Sequence, residues 1–332
     1  MNFNNFENEG IWFKGNLHCH TTVSDGTYTP EEIKDIYKRN GYSFVAFTDH
    51  DVFTDLDHLN DEEFLVYPGM EIKSLLSSSP DKCGDFRGYH LLCLSGPNDE
   101  ENGNKFEKGE IMRPLLNDLD TYHSNTQELV NTLINRGVMV TVNHPIWSRL
   151  LPEDLLNIDH YFALEIYNSQ CAVDGDDTGT GVVYWDLLLR KGMKVWGFAA
   201  DDNHNKDVIN IPGGKKILED HERWASCKGW VCVKAKDLTK NSIAMALKEG
   251  RFYSSTGPEI LEYQIIDNCV NVKCSKVKRI DFITYDRRGW SSFNYEEGLT
   301  AAEYRLFGDE RYVRVECTDF NGNKAWTNPI FL

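Results

Sequence analysis

The feature that most constrains the fold of this chain is a series of short apolar runs, most of which end in polar side chains. Runs of this length, bounded by turn signals, predict buried strands. They stand at residues 11–13, 44–47, 65–67, 89–94, 138–142, 163–166 and 195–200. Helical patterns separate several of these runs, and repeated strand–helix–strand units predict a parallel sheet with right-handed crossovers.

The clearest helix start follows the first run. Thr29 suits the N-cap, Pro30 suits the first helical position, and Glu32 completes a capping box. Gly41 is expected to end this helix near residue 39 or 40. Further helices are predicted at about residues 126–136, 182–191 and 242–249.

The polar residues collect at the carboxyl ends of the predicted strands, which is where α/β barrels build their active sites. An open, doubly wound sheet is the alternative, but its single crevice rarely draws ligands from so many strands. We therefore predict a barrel over residues 1–256, with an insertion or lid at 96–125. Residues 257–332 contain short β-like segments and a predicted Asn321-Gly322 turn, which indicate a small all-β domain.

Charge and composition exclude several classes of protein. The formal charge is −17, from 35 Lys and Arg against 52 Asp and Glu, which disfavours binding to extended nucleic acid. A small anionic substrate remains compatible, because bound divalent cations reverse the local field. No apolar stretch is long enough to span a membrane, residues 1–5 lack signal-peptide character, and the nine cysteines form no C-x-x-C pair. We expect a cytoplasmic protein with reduced thiols, and oligomeric state is left open.

The candidate ligands are imidazoles and carboxylates near strand ends. They are His18, His20, Asp25, His50, Glu71, His90, His144, Asp201 and His204. His18 and His20, two apart on an extended segment, project to the same face. Nitrogen and oxygen donors without cysteine suit Zn, Mn or Fe held for catalysis. Nine ligands exceed the needs of one ion, so we predict two to three divalent ions with Glu71 as a bridge. Taken singly, each residue has an ordinary structural alternative, such as a turn role for Asp25.

These motifs resemble the PHP (polymerase and histidinol phosphatase) family of metal-dependent hydrolases over roughly residues 11–256. The matching segments are 16–21 (NLHCHT), 24–26 (SDG), 48–50 (TDH), 69–71 (GME), 143–145 (NHP) and 201–204 (DDNH). Residues 250–258 and 321–329 are similar to segments of the carbamate-hydrolase branch, the CehA/McbA-like proteins.

The resemblance implies a distorted (β/α)7 barrel, TIM-like in architecture, with up to three metal ions. The matching motif positions imply that His18, His20, Glu71 and Asp201 bind the first ion. The second would be bound by Glu71, His90 and His144. The third would be bound by Asp25, His50 and His204. Many members have histidine where Asp25 stands, which bears on the affinity of the third position.

We predict a phosphoesterase, a hydrolase of ester bonds (EC 3.1), in which a metal-bridging hydroxide attacks a small phosphorylated metabolite or nucleotide. Asp49 and Asp51 are predicted to orient His50 or carry protons, and His204 is placed with them among the catalytic residues. Candidate substrate contacts are Arg149, Asn168 and Arg223. A carbamate, ester or amide hydrolase on the same metals is the alternative. A non-catalytic binding module ranks third.

Overall fold

The computed structural model describes residues 3–4, 10–76, 88–97, 126–175, 177–206, 208–211, 214–217, 225–286 and 289–332. Its helices are α1 (Pro30–Arg39), α2 (Thr126–Asn135), α3 (Pro152–Leu156), α4 (Ser169–Asp174), α5 (Val182–Arg190) and α6 (Lys240–Lys248), with a 3-10 turn at Asp57–Leu59. Most of the predicted insertion at 96–125, and Arg223, lie outside the described residues.

Strands are more numerous than helices in the described chain. Up to the end of the predicted barrel they are β1 (Phe3–Asn4), β2 (Ile11–Asn16), β3 (Phe44–Phe47), β4 (Leu65–Leu75), β5 (Gly88–Ser95), β6 (Val138–Val142), β7 (Ala163–Asn168), β8 (Trp196–Ala200), β9 (Val208–Ile211), β10 (Gly214–Ile217), β11 (Trp230–Ala235) and β12 (Phe252–Ser255). The remaining strands are β13 (Ile260–Ile266), β14 (Cys269–Val277), β15 (Arg279–Thr284), β16 (Gly289–Phe293), β17 (Leu299–Arg305), β18 (Tyr312–Thr318), β19 (Lys324–Thr327) and β20 (Ile330–Phe331).

The predicted capping box of α1 is confirmed. The Thr29 hydroxyl accepts from the Glu32 amide at 3.3 Å, and the Glu32 carboxylate accepts from the Thr29 amide at 2.8 Å. These two bonds satisfy donors that a helix start otherwise leaves free. Gly41 follows the helix with a φ of +75°, a conformation that glycine adopts at little cost. The short loop therefore returns the chain directly into β3.

The central sheet has the order β2-β3-β4-β5-β6-β7-β8. The pairs β2–β3, β3–β4, β6–β7 and β7–β8 are parallel, as the crossover pattern predicted. The expectation of a purely parallel sheet is wrong at β5, which runs antiparallel to both β4 and β6. Strands β3, β5 and β6 are buried along their whole length, which explains why they read as continuous apolar runs.

The sheet curls but its ladder does not close into a complete barrel within the described residues. Its first and last central strands, β2 and β8, meet beyond their carboxyl ends in one isolated parallel bridge, Cys19–Asn203. The Asp202 amide donates to the His18 carbonyl at 2.9 Å in the same contact. The fold is therefore mixed α/β with one large mixed sheet. The chain segments that follow β2 and β8 contact each other at the carboxyl edge, where the ligands were predicted.

Part of the C-terminal segment continues this sheet, whereas β13, β14 and β17 form a separate four-stranded sheet with β1. Strand β11 pairs with β2, β12 pairs with β11, and β19 pairs with β12, so the order extends to β18, β15 and β16. The Asn328 side chain accepts from the Gly197 amide at 2.9 Å and donates to the Phe252 carbonyl at 3.2 Å. A domain boundary at 256/257 remains a prediction, since the segment on its far side is hydrogen-bonded to the barrel strands.

Two further expectations concern the whole chain. Within the described ranges, no helix is long and apolar enough to cross a membrane. The structure describes eight cysteines, all of them as free thiols, and the reduced state stays a prediction.

Candidate metal centre

The candidate ligands meet at the carboxyl edge of the sheet because the strands end there. His18 and His20 follow β2, His50 follows β3, and His144 follows β6. Glu71 lies within β4, which extends past its parallel neighbour. His90 is the third residue of β5, and it reaches the same edge because β5 runs in the opposite direction.

The side chains form overlapping groups in which the potential ligand atoms all lie within 4.8 Å of one another. The first group comprises His18, His20, Glu71 and Asp202. The second comprises Glu71, His90 and His144, and the third comprises His20, Asp25, His50 and His204. His18 and His144 also form a group with Glu165. Eight of the nine predicted ligands are therefore brought together.

The first group fits a divalent cation chemically. The Nε2 atoms of His18 and His20 are only 3.2 Å apart, and both face Asp202 Oδ1, at 3.1 and 3.0 Å. Among the described residues, His20 Nδ1 and His90 Nε2 are buried without a hydrogen-bond partner. Buried polar atoms are normally paired. Converging nitrogen and oxygen donors of this kind are the ligand set of Zn, Mn and Fe sites.

Glu71 occupies the centre of the cluster and is 1% exposed. Its Oε1 lies 3.2 Å from His90 Nδ1 and 3.4 Å from the nearest nitrogens of His18 and His144. Its Oε2 lies 3.2 Å from His50 Nδ1 and 3.4 Å from His20 Nε2. One carboxylate thus faces ligand candidates of all three groups. This is the arrangement that the bridging prediction requires, and bridging itself stays a prediction.

The electrostatics of the cluster depend on this mixture of signs. Burial opposes protonation of His18 and His20, but the neighbouring carboxylates outweigh it, raising the pKa of His18 well above its usual value and that of His20 to about 9. Burial alone would raise the pKa of Glu71 and Asp202, but the surrounding imidazoles lower the pKa of both well below the usual range. Burial lowers the pKa of His90 and of His204. The cluster therefore keeps its carboxylates ionised.

The structure places Asp202, not Asp201, in the cluster. Adjacent side chains at a strand end point in opposite directions, and Asp202 takes a left-handed backbone conformation with a φ of 52°. Asp201 turns away from the ligand groups. Its carboxylate accepts hydrogen bonds at 2.7–3.0 Å from the Tyr37 hydroxyl, the Ser169 hydroxyl and the amides of Cys227, Lys228 and Gly229. Asp201 therefore holds the loop after residue 225 against the sheet.

Of the predicted catalytic carboxylates, Asp49 lies outside every ligand group. It is fully buried and accepts from Thr21, from Ser24 and from the Thr54 hydroxyl. These bonds fix the loop that carries His20 and Asp25. Asp51 adopts a φ of 59°, its amide donates to the Glu71 carbonyl at 2.9 Å, and its carboxylate is in none of the groups. His204, the third predicted catalytic residue, is in the third group.

Neither of the two predicted substrate contacts within the described residues lines the cavity over the cluster. Arg149 is exposed and does not line the cavity over the cluster. Asn168 is 1% exposed, and its amide donates to Glu165 and Asp202. It therefore contacts the ligand residues instead of the cavity.

A cavity of about 270 Å³ opens over the cluster. Besides the ligand candidates it is lined by Trp147, Gln170, Cys171, Asp174 and Lys206. The Trp147 ring packs edge-on against the rings of His90 and His144, with centroids 5.7 and 5.1 Å apart. Lys206 Nζ lies 2.7 Å from Asp25 Oδ2, and the lysine side chain is 41% exposed. The cavity thus has one aromatic wall and a cation at its mouth.

Comparison with known proteins gives matches only among solved structures. No protein-family model matches the chain, and no curated protein matches its sequence. A two-domain protein from Bacteroides vulgatus, containing a predicted PHP-like metal-dependent phosphoesterase, is similar over 97% of this chain and 96% of its own, with 15% identity and a TM-score of 0.46.

Two shorter structures also match. A proposed metal-dependent phosphoesterase from Bifidobacterium adolescentis has 18% identity and a TM-score of 0.38, covering 63% of this chain and 93% of its own. An amidohydrolase from Chromobacterium violaceum, with bound sulfate and no metal, has 15% identity and a TM-score of 0.37, covering 62% and 92%. At these identities and TM-scores, neither family nor activity follows from the similarity.

Two site residues carried signals that sequence reasoning did not use. Asp202 stood beside Asp201 in the same motif, and the sequence could not say which faced inward. Glu165 is an acidic residue inside an otherwise apolar run, which is itself an unusual place for a carboxylate. In the structure it is 1% exposed and 3.0 Å from His18 Nδ1. Trp147 and Lys206 had no pattern that set them apart from ordinary loop residues.

Proposed function

We propose that this chain is a metal-dependent phosphoesterase that hydrolyses small phosphate esters. The observation that carries the proposal is the convergence of three ligand groups on one cavity with Lys206 at its mouth. When bound, divalent ions would supply an activated water and offset the negative charge of the phosphoryl group. The first and second groups are buried, which protects their ligands from solvent.

The remaining roles fall to side chains of the cavity. Lys206 reaches the cavity mouth and binds phosphoryl oxygens as a point charge. Trp147 packs against the carbon skeleton of the leaving group. His204 is 15% exposed by its side chain and lies 3.2 Å from Asp25, so it borders both the third ligand group and the cavity. We retain it as the candidate for proton movement near the reacting oxygen. A cavity of about 270 Å³ suits a small substrate.

The second candidate is hydrolysis of a neutral carbamate or carboxyl ester. The Trp147 wall favours it, since a neutral substrate needs apolar contact more than a cation. The two functions differ in their dependence on Lys206. A charge-assisted hydrogen bond contributes about 1.5–3 kcal/mol, so loss of Lys206 should weaken only the anionic substrate.

The test is a hydrolysis screen on chelated protein reloaded separately with Mn, Zn and Fe. The substrates are p-nitrophenyl phosphate, bis-p-nitrophenyl phosphate, p-nitrophenyl acetate and an aryl N-methylcarbamate. We expect metal-dependent phosphatase activity, and Lys206→Met should raise KM for the phosphate substrate at least about tenfold. The matched control is Lys273→Met, which removes another exposed, ion-paired lysine, 2.8 Å from Glu262, outside the cavity lining.

Turnover of the acetate or carbamate alone would favour the second candidate. Absence of metal uptake together with absence of all four activities would refute both hydrolase functions. The non-catalytic binding module would then be the remaining alternative.

A further inference from the structure

A β-bulge in strand β7 puts two buried polar side chains on one side of the strand. Glu165 pairs with Phe198 and Tyr167 pairs with Ala199, so the register shifts by one residue between them. In a regular strand, residues 165 and 168 would point to opposite faces. The bulge re-aims the strand end, as bulges near active sites often do, and both Glu165 and Asn168 reach the metal cluster.

Every polar atom at the end of the Glu165 side chain is used. Its Oε1 accepts from His18 Nδ1 at 3.0 Å. Its Oε2 accepts from the His144 amide and from Asn168 Nδ2, both at 2.8 Å. Both Glu165 and Asn168 are 1% exposed, so no solvent competes for these bonds. A buried carboxylate with three N–H donors needs no metal ion to satisfy it.

Asn168, which is hydrogen-bonded to Glu165, also contacts the ligand candidate Asp202. Its amide nitrogen also donates to Asp202 Oδ2 at 3.0 Å, and its carbonyl oxygen accepts from the Cys171 amide at 2.9 Å. Asp202 Oδ2 is thereby occupied, and Oδ1 is left facing the ring nitrogens of His18 and His20. One side chain thus connects Glu165 to the carboxylate of the first ligand group.

We infer that Glu165 and Asn168 are positioning residues that fix His18, His144 and Asp202 for metal binding, an inference that rests on the proposed metal-dependent function. With Nε2 as the metal ligand, the remaining proton of His18 would lie on Nδ1, where the Glu165 carboxylate accepts it. That carboxylate also holds the backbone of His144, whose φ of 24° is strained. Carboxylates behind metal-ligating imidazoles typically contribute 10–100-fold to metal affinity.

The test uses Glu165→Gln, which keeps the size of the side chain but replaces one of its two acceptor oxygens by an N–H donor group. If the new amide group faces His18 Nδ1, the proton of that ring moves to Nε2 and blocks the ligand. If it faces the other way, it meets two N–H donors, from His144 and Asn168. Either outcome should weaken metal binding by about 10–100-fold and change the visible absorption spectrum of the Co²⁺-loaded protein.

The matched control is Glu310→Gln. Glu310 is also a buried carboxylate, 7% exposed, and accepts from the Tyr304 hydroxyl and from the amides of Phe307 and Gly308. It lies outside every ligand group. Its variant should lose stability yet keep the metal affinity and Co²⁺ spectrum of the unmodified protein. A merely structural role for Glu165 would give the same result as this control.

Asn168→Ala provides a second, uncharged perturbation, with an expected loss of about tenfold in metal affinity. The double variant should lose less than the sum of the two, because both residues act through one network. Should Glu165→Gln not fold, Asn168→Ala with unmodified affinity and spectrum would overturn the inference by itself. For folded Glu165→Gln, unmodified affinity and spectrum would overturn it, as would an anomalous density map placing an ion at ligand distance from Glu165. Failure of the unmodified protein to bind metal would instead refute the proposed function.

Discussion

The charge of Glu71 is the most informative target in the site. Glu71→Gln preserves the size of the side chain and its contact with Asn143 Nδ2 at 3.1 Å, while deleting the negative charge that faces five imidazoles. The substitution therefore tests charge and not packing. If Glu71 bridges two ions, both lose a ligand and repel each other with less screening.

The expected magnitude follows from Coulomb's law. A unit charge about 4 Å from a divalent ion, at an effective dielectric of about 20, contributes on the order of 8 kcal/mol. Much of this Coulomb energy is offset, because the neutral glutamine avoids the desolvation cost of a buried carboxylate. A net loss of about 2.7 kcal/mol corresponds to about 10²-fold, which is also the scale for losing one strong electrostatic contact in an active site. We expect metal affinity and kcat each to fall by at least this factor.

Metal content is measured by mass spectrometry after gel filtration, and kcat on the best substrate of the hydrolysis screen with saturating metal. His58→Gln is the control, because His58 is exposed on the turn at Asp57–Leu59 and should change neither quantity. Full metal content together with near-native turnover in Glu71→Gln would refute the bridging assignment, and with it the division of the ligands into sets that share this carboxylate.

Three other predictions follow from the described contacts. Asp202→Asn should lower metal affinity about 10²-fold. Asp201→Asn should have a smaller effect on metal affinity but should destabilise the fold by about 3 kcal/mol, because an amide cannot accept from all five donors. Metal titration and thermal unfolding measure the two quantities, and an equal loss of metal affinity in both variants would contradict the placement of Asp202 in the cluster. In the metal-free protein, the raised pKa of His20 means that its protonation stabilises the fold fully below about pH 6.5, and this contribution is lost as pH rises through about 9. Metal affinity should rise over the same pH range, because the metal competes with that proton. A metal affinity that does not change from pH 6 to 9 would contradict this prediction. Truncation after residue 256 should abolish stable folding, since it removes β19 from β12 and Asn328 from Gly197; a folded, metal-loaded and active fragment would show instead that the C-terminal strands are dispensable.

The sequence alone was sufficient for features that depend on local patterns. The capping box of α1 requires only Thr29 and Glu32 at the right spacing, and it formed as predicted. The ligand candidates could be chosen because imidazoles and carboxylates at strand ends are costly unless paired. Strand ends meet at one edge in any sheet of parallel neighbours, so their proximity also followed from the pattern.

Tertiary structure decided what local patterns do not encode. Apolar periodicity shows which face of a strand is buried but not the direction of its neighbour, so the reversal of β5 that brings His90 to the edge was not foreseen. The choice between Asp201 and Asp202 depends on a left-handed backbone conformation, and the position of Glu165 depends on a bulge. Each is set by hydrogen bonds between residues far apart in the chain, and a sequence carries no local record of such bonds.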